Sequence, residues 1–162
     1  MSSDVSMNNI SFNFLKNSSE FLQVVLANIN SCVLLLDRNM KLVAFNDALT
    51  TIFSNKKDED LLYMRCGEAI GCAYQIEEKT ECGSTSKCNS CELRISALLS
   101  LTNEEVIYKQ PFSKPFINYK NEKIDKHLQF SSRLFKYDKD KYVMLIIEDV
   151  SELINLKNGY SA

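Results

Sequence analysis

Six cysteines are the residues of this 162-residue chain with the most chemistry to offer, and five of them fall in one short stretch. The clustered five are Cys66, Cys72, Cys82, Cys88 and Cys91, and Cys32 stands apart. A thiolate is both a nucleophile and a ligand for soft metals. Inside a cell, where disulfides are rarely structural, such a cluster indicates metal binding or redox chemistry.

Four of these cysteines have a spacing that favours one shared site, Cys72-x9-Cys82-x5-Cys88-x2-Cys91. Cys88 and Cys91 stand three apart at the start of a predicted helix, where the helix amides and the positive dipole end favour thiolates. A glycine precedes Cys72 and another follows Cys82, so backbone N–H groups can approach the sulfurs there. Four thiolates suit an iron–sulfur cluster or a tetrahedral Zn²⁺.

Other interpretations of the cluster stay open. Cys88 and Cys91 form a Cys-x2-Cys pair that would suit a thiol–disulfide switch or oxidoreductase, although no predicted strand leads into it as in thioredoxin-like sites. A structural zinc that orders a polar segment and supports an interaction domain is a further hypothesis. Cys66 is a spare ligand or a packed thiol, and Cys32, within an apolar run, is predicted to be core.

The composition excludes several classes of protein. The chain is 45% hydrophobic with a net charge of −2, so it is predicted to be globular. It lacks the basic blocks that bind nucleic acid and any apolar run near the ~20 residues that span a membrane. With no secretory signal, the predicted location is cytoplasmic. His127 is the sole histidine and no phosphate-binding loop occurs, so we predict no catalytic residues and no enzymatic activity.

The elements that must hold the cysteines follow a mixed order of helices and strands. A polar tail over residues 1–16 precedes an amphipathic helix within residues 17–30, whose apolar residues recur at helical spacing. The predicted elements that follow are a hairpin over 32–45, helices over 48–53 and 90–101, strands over 104–110, 123–135 and 142–147, and a short helix over 153–156. Residues 55–60 and 111–121, the latter with both prolines, are predicted to be loops.

This order, together with two short motifs, resembles PAS domains. The first motif is the hairpin VLLLDRNMKLV over 33–43, followed by Asn46 and Ala48. The second, IIEDVSE over 146–152, is similar to the acidic exit motif that joins PAS domains to signalling helices. The resemblance implies an α+β fold with a five-stranded antiparallel sheet, helices on one face and the N-terminal amphipathic helix. The PAS-like domain would span 31–150 with a cysteine-rich insert at 66–91, and 151–162 would form a short C-terminal helix and tail.

The cysteine stretch itself is similar to a variant found in PAS domains associated with bacterial sensor kinases. This resemblance implies a shared ligand set of Cys72, Cys82, Cys88 and Cys91 without fixing the metal. It further implies a sensor of redox state or of a diatomic gas, dimerised through its N-terminal helix. Since the residues after 156 have no room for an output domain, we expect a separate partner, such as a histidine kinase, or a longer parent chain.

Overall fold

The computed structural model describes residues 19–53 and 61–160, which form a five-stranded antiparallel sheet with helices packed against it. The strands are β1 (Cys32–Leu36), β2 (Leu42–Phe45), β3 (Ile107–Ile117), β4 (Lys123–Tyr137) and β5 (Asp140–Asp149), in the spatial order β2-β1-β5-β4-β3. The helices are α1 (Ser19–Asn28), α2 (Ala48–Phe53), α3 (Cys66–Ile70), α4 (Ala73–Glu78), α5 (Glu92–Asn103) and α6 (Ser151–Tyr160). The predicted tail over 1–16 and loop over 55–60 lie outside the described residues.

The opening hairpin forms as predicted. In β1 the alternate residues Cys32, Leu34 and Leu36 are fully buried, which is the pattern of a strand with one face on the core. The Asp37 carboxylate accepts hydrogen bonds from the backbone N–H groups of the turn, and Met40 takes the left-handed conformation with φ 64°. Local turn chemistry therefore fixes the register of β1 and β2.

Strand β5 lies at the centre of the sheet, as its apolar character predicts, and pairs with β1 on one side and β4 on the other. Val143, Leu145 and Ile147 are fully buried, while the residues between them are half-buried. In β4, Leu128 and Phe130 are buried and face the same core, while Gln129 between them is half-buried.

The prediction for β3 was wrong. Residues 111–121 were expected to be a loop because they hold both prolines, yet β3 continues through Pro111 and Pro115. The reason is its position at the edge of the sheet, where β4 is the one strand beside it. A proline lacks a backbone N–H, and an edge strand tolerates that loss on its unpaired side.

The cysteine-rich insert contains two short helices, α3 and α4. Ala69, Ile70 and Ala73 are buried and attach these short helices to the core. Gly71 ends α3 with φ 79°, a left-handed conformation that glycine adopts without strain. The insert therefore packs on the domain.

Helix α5 is fixed to the sheet by both apolar and polar contacts. Leu93 and Ala97 are buried, and the hydroxyls of Ser100 and Ser132 form a buried hydrogen bond of 2.8 Å. The Ser100 hydroxyl also lies 2.8 Å from the Glu105 carbonyl oxygen, which accepts from it. The hydrogen bond between Ser100 and Ser132 therefore links α5, the helix that follows the cysteines, to strand β4.

Helix α1 has a mostly exposed surface, and none of its residues is buried. Its apolar residues Leu22 and Val24 are 56% and 55% exposed. Asn46 ties the end of the helix to the domain, since its side-chain N–H groups donate to the carbonyls of Leu26 and Ser31 at 2.9 Å each. Within the described part of the chain, no helix is long and apolar enough to cross a membrane.

Candidate cysteine site

Helices α3 and α4 place Cys66 and Cys72 against the edge of the sheet. Cys66 is the first residue of α3, and Cys72 precedes α4. Cys72 forms an isolated antiparallel bridge with Phe116, and the Ile117 N–H donates to the Gly71 carbonyl at 2.8 Å. The turn between the two helices is therefore anchored on β3.

Cys82 is held by a neighbouring backbone amide. The Gly67 N–H donates to the Cys82 sulfur at 3.3 Å, and Arg65 donates to the Cys82 carbonyl at 3.0 Å. Burial raises the pKa of the Cys82 thiol and outweighs the stabilising Gly67 amide, and the neighbouring Cys88 and Cys91 sulfurs raise it further. Without a bound metal, the Cys82 sulfur is a neutral thiol that already accepts a hydrogen bond from the Gly67 amide.

Cys88 lies in a 3₁₀ turn, Cys88–Ser90, and its sulfur has three hydrogen-bonding neighbours. The N–H groups of Gly83 and Thr85 donate to it at 3.1 and 3.3 Å, and the Thr85 hydroxyl lies 2.9 Å away. Partial burial opposes ionisation, but these hydrogen bonds from Thr85 and Gly83 prevail and lower the pKa of the Cys88 thiol. Gly83 has φ 101°, which explains the glycine at this position. The loop therefore favours a thiolate at Cys88.

Lys114 of β3 brings a positive charge to the cysteines. Its ammonium group lies 3.9 Å from the Cys91 sulfur and above the rings of Tyr74 and Phe112, at 5.8 and 5.6 Å. Burial opposes its charge, yet attraction to Cys91 and Cys72 prevails and raises the pKa of Lys114. No local sequence signal marks Lys114 as a neighbour of the cysteines, because it falls in the segment predicted as a loop.

Cys32 and Cys66, the two cysteines outside the predicted set of four ligands, are buried thiols. Cys32 is 0% exposed, and burial raises its pKa to about 12, so the prediction of a core residue is confirmed. Cys66 is 7% exposed, and its pKa lies well above the ordinary range because of burial first and the neighbouring Cys82 and Cys91 second. All six cysteines are free thiols.

Two cavities meet at Cys91 and Lys114, which line both of them. One is an interior cavity of about 120 Å³ between α3, α5 and the sheet, lined in part by Cys66 and Cys82. The other is a surface cleft of about 330 Å³ that reaches Cys88. Cys91 and Lys114 therefore stand between the interior of the domain and its surface.

The four predicted ligands Cys72, Cys82, Cys88 and Cys91 all lie in this region, but they do not form a completed metal site. Among the described residues, no three His, Cys, Asp or Glu side chains are arranged to hold a metal ion. The chemistry of the donor set nevertheless fits a soft metal, because amide donors to the sulfurs of Cys82 and Cys88 stabilise the thiolates that a metal requires.

Solved structures with the same arrangement of sheet and helices are PAS domains. The PAS domain of nitrogen regulation protein NR(II) from Vibrio parahaemolyticus superposes with a TM-score of 0.54 and 9% identity, over 79% of this chain and 96% of that one. A PAS domain from Colwellia psychrerythraea gives 0.55 and 6%, over 82% and 97%. One from Desulfitobacterium hafniense gives 0.50 and 18%, over 81% and 99%. The chain has a PAS fold. No protein-family model matches its sequence, and none of the curated proteins matches it either.

The PAS fold explains how the cysteines come to lie beside the sheet. The insert with α3 and α4 fills the space between β2 and α5, and β3 supplies Lys114 from the facing edge. Sequence spacing identified the cysteines. It did not identify Gly67, Thr85 and Lys114, which contact the cysteine sulfurs in the folded chain. Thr85, three residues before Cys88, was the one local signal that a hydrogen-bond donor would lie near the Cys88 sulfur.

Proposed function

We propose that this PAS-fold chain is a sensory signalling module and that residues 66–91 are its sensing element. The observation that carries the proposal is the set of amide donors aimed at the sulfurs of Cys82 and Cys88, next to cavities that give access to them. The PAS domain of a Vibrio nitrogen regulation protein among the similar structures supports a regulatory role. The role is binding and signalling without catalysis, and His127 serves the framework of the sheet through its 2.8 Å hydrogen bond to Ser113.

In this proposal Cys72, Cys82, Cys88 and Cys91 hold an iron–sulfur cluster, with Zn²⁺ as the alternative. A bound cluster supplies a centre that responds to redox potential or a diatomic gas, whereas zinc supplies structural order. The chain's own residues would reduce the electrostatic repulsion between the four thiolates. The amides act on Cys82 and Cys88, and the ammonium of Lys114 acts beside Cys91.

The contacts of α5 provide a way to pass a change at the cysteines to the rest of the domain. Cys91 is the residue before α5, and its carbonyl accepts the Ile95 N–H at 3.0 Å. The same helix is joined to β4 by the hydrogen bond between Ser100 and Ser132. A shift of α5 would thus act on the sheet and on α1, whose exposed apolar residues we propose as a homodimer contact. A separate protein such as a histidine kinase would read the change.

The test is the metal content and visible spectrum of protein purified without oxygen. We expect iron with acid-labile sulfide and broad visible absorbance, while one zinc per chain without colour would favour the structural alternative. Cys88→Ser should lose the metal and melt at a lower temperature, because it removes the ligand with the most hydrogen-bond support.

Cys32→Ala is the matched control, since it removes a thiol that is buried in β1 outside the segment. It should keep the metal content of the parent protein. Metal-free parent protein, or unchanged metal in Cys88→Ser, would contradict the metal site.

A thiol–disulfide switch is the second candidate function, and the shared cavity of Cys66, Cys82 and Cys91 favours it. Two thiols would form one S–S bond, and hydrogen peroxide would accept the two electrons and two protons and leave as two water molecules. Non-reducing peptide mapping after peroxide treatment would identify the pair. Catalytic insulin reduction by the metal-free protein would instead support an oxidoreductase using Cys88 and Cys91.

A further inference from the structure

The face of the sheet that points away from the core carries a group of aromatic side chains. In β4, Ser132 is buried, so Phe135 and Tyr137, which lie an odd number of residues further along, point to the opposite face. Tyr142 of β5 lies opposite Phe135 and shares that face. The rings of Phe135 and Tyr137 are parallel within 7°, with centroids 6.3 Å apart, and the Tyr142 ring lies 6.5 Å from that of Phe135. These three residues form an aromatic patch that is open to solvent, since Tyr137 is 67% exposed.

A bulge in β3 supplies a fourth exposed ring. The register between β3 and β4 is interrupted between Ile107 and Gln110, and Lys109 within this bulge has φ 50°. The Lys109 N–H donates to the hydroxyl of Ser131, which lies on the outer face of β4, at 3.1 Å. Tyr108 is 75% exposed, and the Lys109 ammonium lies 5.5 Å from the centroid of its ring. Bulges redirect side chains, and this one presents an aromatic ring and an ammonium group to solvent.

Three cations near these rings lack a carboxylate partner. Arg133 is exposed on the same face of β4, and its side chain forms no hydrogen bond or ion pair with any described residue. The same holds for Lys139, in the turn between β4 and β5, and Lys109 has no acidic partner in the described part of the chain. In that turn and at the start of β5, Asp140 is already in an ion pair, and Asp138 is the unpaired acid. The surface therefore has an excess of positive charge, although the whole chain has a net charge of −2.

We propose that this surface binds single-stranded nucleic acid, with bases stacked on the exposed rings and phosphates held by Lys109, Arg133 and Lys139. Every base has a flat π-face, so aromatic side chains next to cations bind single strands with little dependence on sequence. Exposed rings on an antiparallel sheet are also a common means of recognising unpaired RNA bases. An acidic protein segment would match the cations, but it has few planar groups to stack on Tyr108 and Tyr137. The combination of rings and cations therefore favours a nucleic acid.

No run of basic residues marks this surface in the sequence. Its cations come from β3, from β4 and from the turn after β4, and the folded sheet brings them to one region. The absence of basic blocks, which argued against nucleic acid at the level of sequence, therefore does not apply to the folded chain. The surface is also independent of the cysteines, since Cys66, Cys82 and Cys91 line a cavity on the core side of the sheet. Binding of a single strand thus requires no metal.

The experiment is the fluorescence anisotropy of labelled oligothymidine and oligouridine, each of about 12 nucleotides, titrated with the full chain. We expect saturable binding, and the stronger of the two ligands identifies DNA or RNA as the preferred source. The logarithm of the binding constant should fall with the logarithm of the salt concentration with a slope of about −2, as expected for three neutralised phosphates on a single strand. A duplex hides its bases and should bind about fivefold more weakly or less. Failure of both single strands to bind, equal binding of the duplex, or equal competition by polyglutamate would each overturn the proposal.

Two variants and a matched control locate the site. Tyr137→Leu keeps an apolar side chain but removes the flat ring, so it should weaken binding about fivefold or more without changing the salt slope. Arg133→Gln should weaken binding and reduce the slope by about 0.7. The control is Tyr119→Leu, because Tyr119 is also 67% exposed with a lysine over its ring, at 5.6 Å, but lies in the turn between β3 and β4. Circular dichroism checks that each variant is folded. Undiminished binding in Tyr137→Leu, or an equal loss in Tyr119→Leu, would overturn the assignment.

Discussion

The backbone of Gly67 and the sulfur of Cys82 are in direct contact. The Gly67 N–H donates to Sγ at 3.3 Å, and a β-carbon on Gly67 would lie 2.8 Å from the same sulfur and 3.2 Å from the Cys82 β-carbon. Gly67 lies inside α3, so the reason for a glycine here is space. One residue thus provides both the donor and the room that Cys82 needs.

Gly67→Ala should displace Cys82 and weaken metal binding. The added methyl group cannot share the space of the sulfur, so either Cys82 or α3 must shift, at a cost of about 1–3 kcal/mol in the free energy of unfolding. Metal content and urea denaturation would measure the two effects. The matched control is Gly159→Ala in α6, where the new methyl group meets nothing within 4 Å. Equal metal content in both variants would contradict the role assigned to Gly67.

Asn46→Ala should detach α1 from the domain. The Asn46 side chain accepts the Val33 N–H at 2.8 Å and donates to the carbonyls of Leu26 and Ser31. Losing these hydrogen bonds should cost about 2–3 kcal/mol in the free energy of unfolding. Hydrogen exchange should become faster in α1, with little change in β4. Asn155→Ala at an exposed position is the control and should change neither, and unaltered exchange in α1 would show that Asn46 does not hold it.

The cysteines should differ in their reactivity towards iodoacetamide in the reduced, metal-free protein. The pKa of Cys88 is lowered by its hydrogen bonds from Thr85 and Gly83, so its thiolate persists below the pH at which an ordinary thiol protonates. Cys32, with a pKa raised to about 12 and no exposed surface, should react last. Peptide mass spectrometry over pH 6–9 measures both rates. In urea the two rates should converge. Equal rates in the folded protein would contradict both the lowered pKa of Cys88 and the burial of Cys32.

Asp149→Asn should lower stability at neutral pH and leave it unchanged in acid. Although partial burial opposes its charge, hydrogen bonds from Ser151 and Lys126 lower the pKa of Asp149. A carboxylate with a depressed pKa in the folded state adds stability above its unfolded pKa, and that stability is lost as the pH falls through the folded pKa. We expect a loss of about 1 kcal/mol at pH 7 and none near pH 2, because the site is partly exposed. Asp138→Asn in the exposed turn before β5 is the control.

The parts of the fold that sequence reasoning predicted are those whose signals are local. The hairpin of β1 and β2 follows from an apolar run on each side of Asp37, and α2 begins and ends as its pattern predicts. The fold class followed from the order of such elements. The apolar character of β5 likewise indicated a central strand.

The parts that were missed depend on contacts between distant residues. Pro115 argues against a strand unless the strand lies at an edge, and the edge is known only from the sheet order. The position of Asn46 after the hairpin gave no sign that its side chain joins α1 to β1. At the site, spacing identified the cysteines, whereas Lys114 comes from a different part of the chain and carries no local signal.

The attachment of the Gly71–Cys72 turn to β3 has a consequence for the solubility of the domain. Strand β3 is the outer strand of the sheet, and exposed edges invite pairing with strands of other chains. The turn occupies the N–H of Ile117, and Pro111 and Pro115 present no N–H at all. The same turn that positions Cys72 therefore helps to block edge-to-edge aggregation, and damage to the cysteine segment would expose a surface on which copies of the chain can associate.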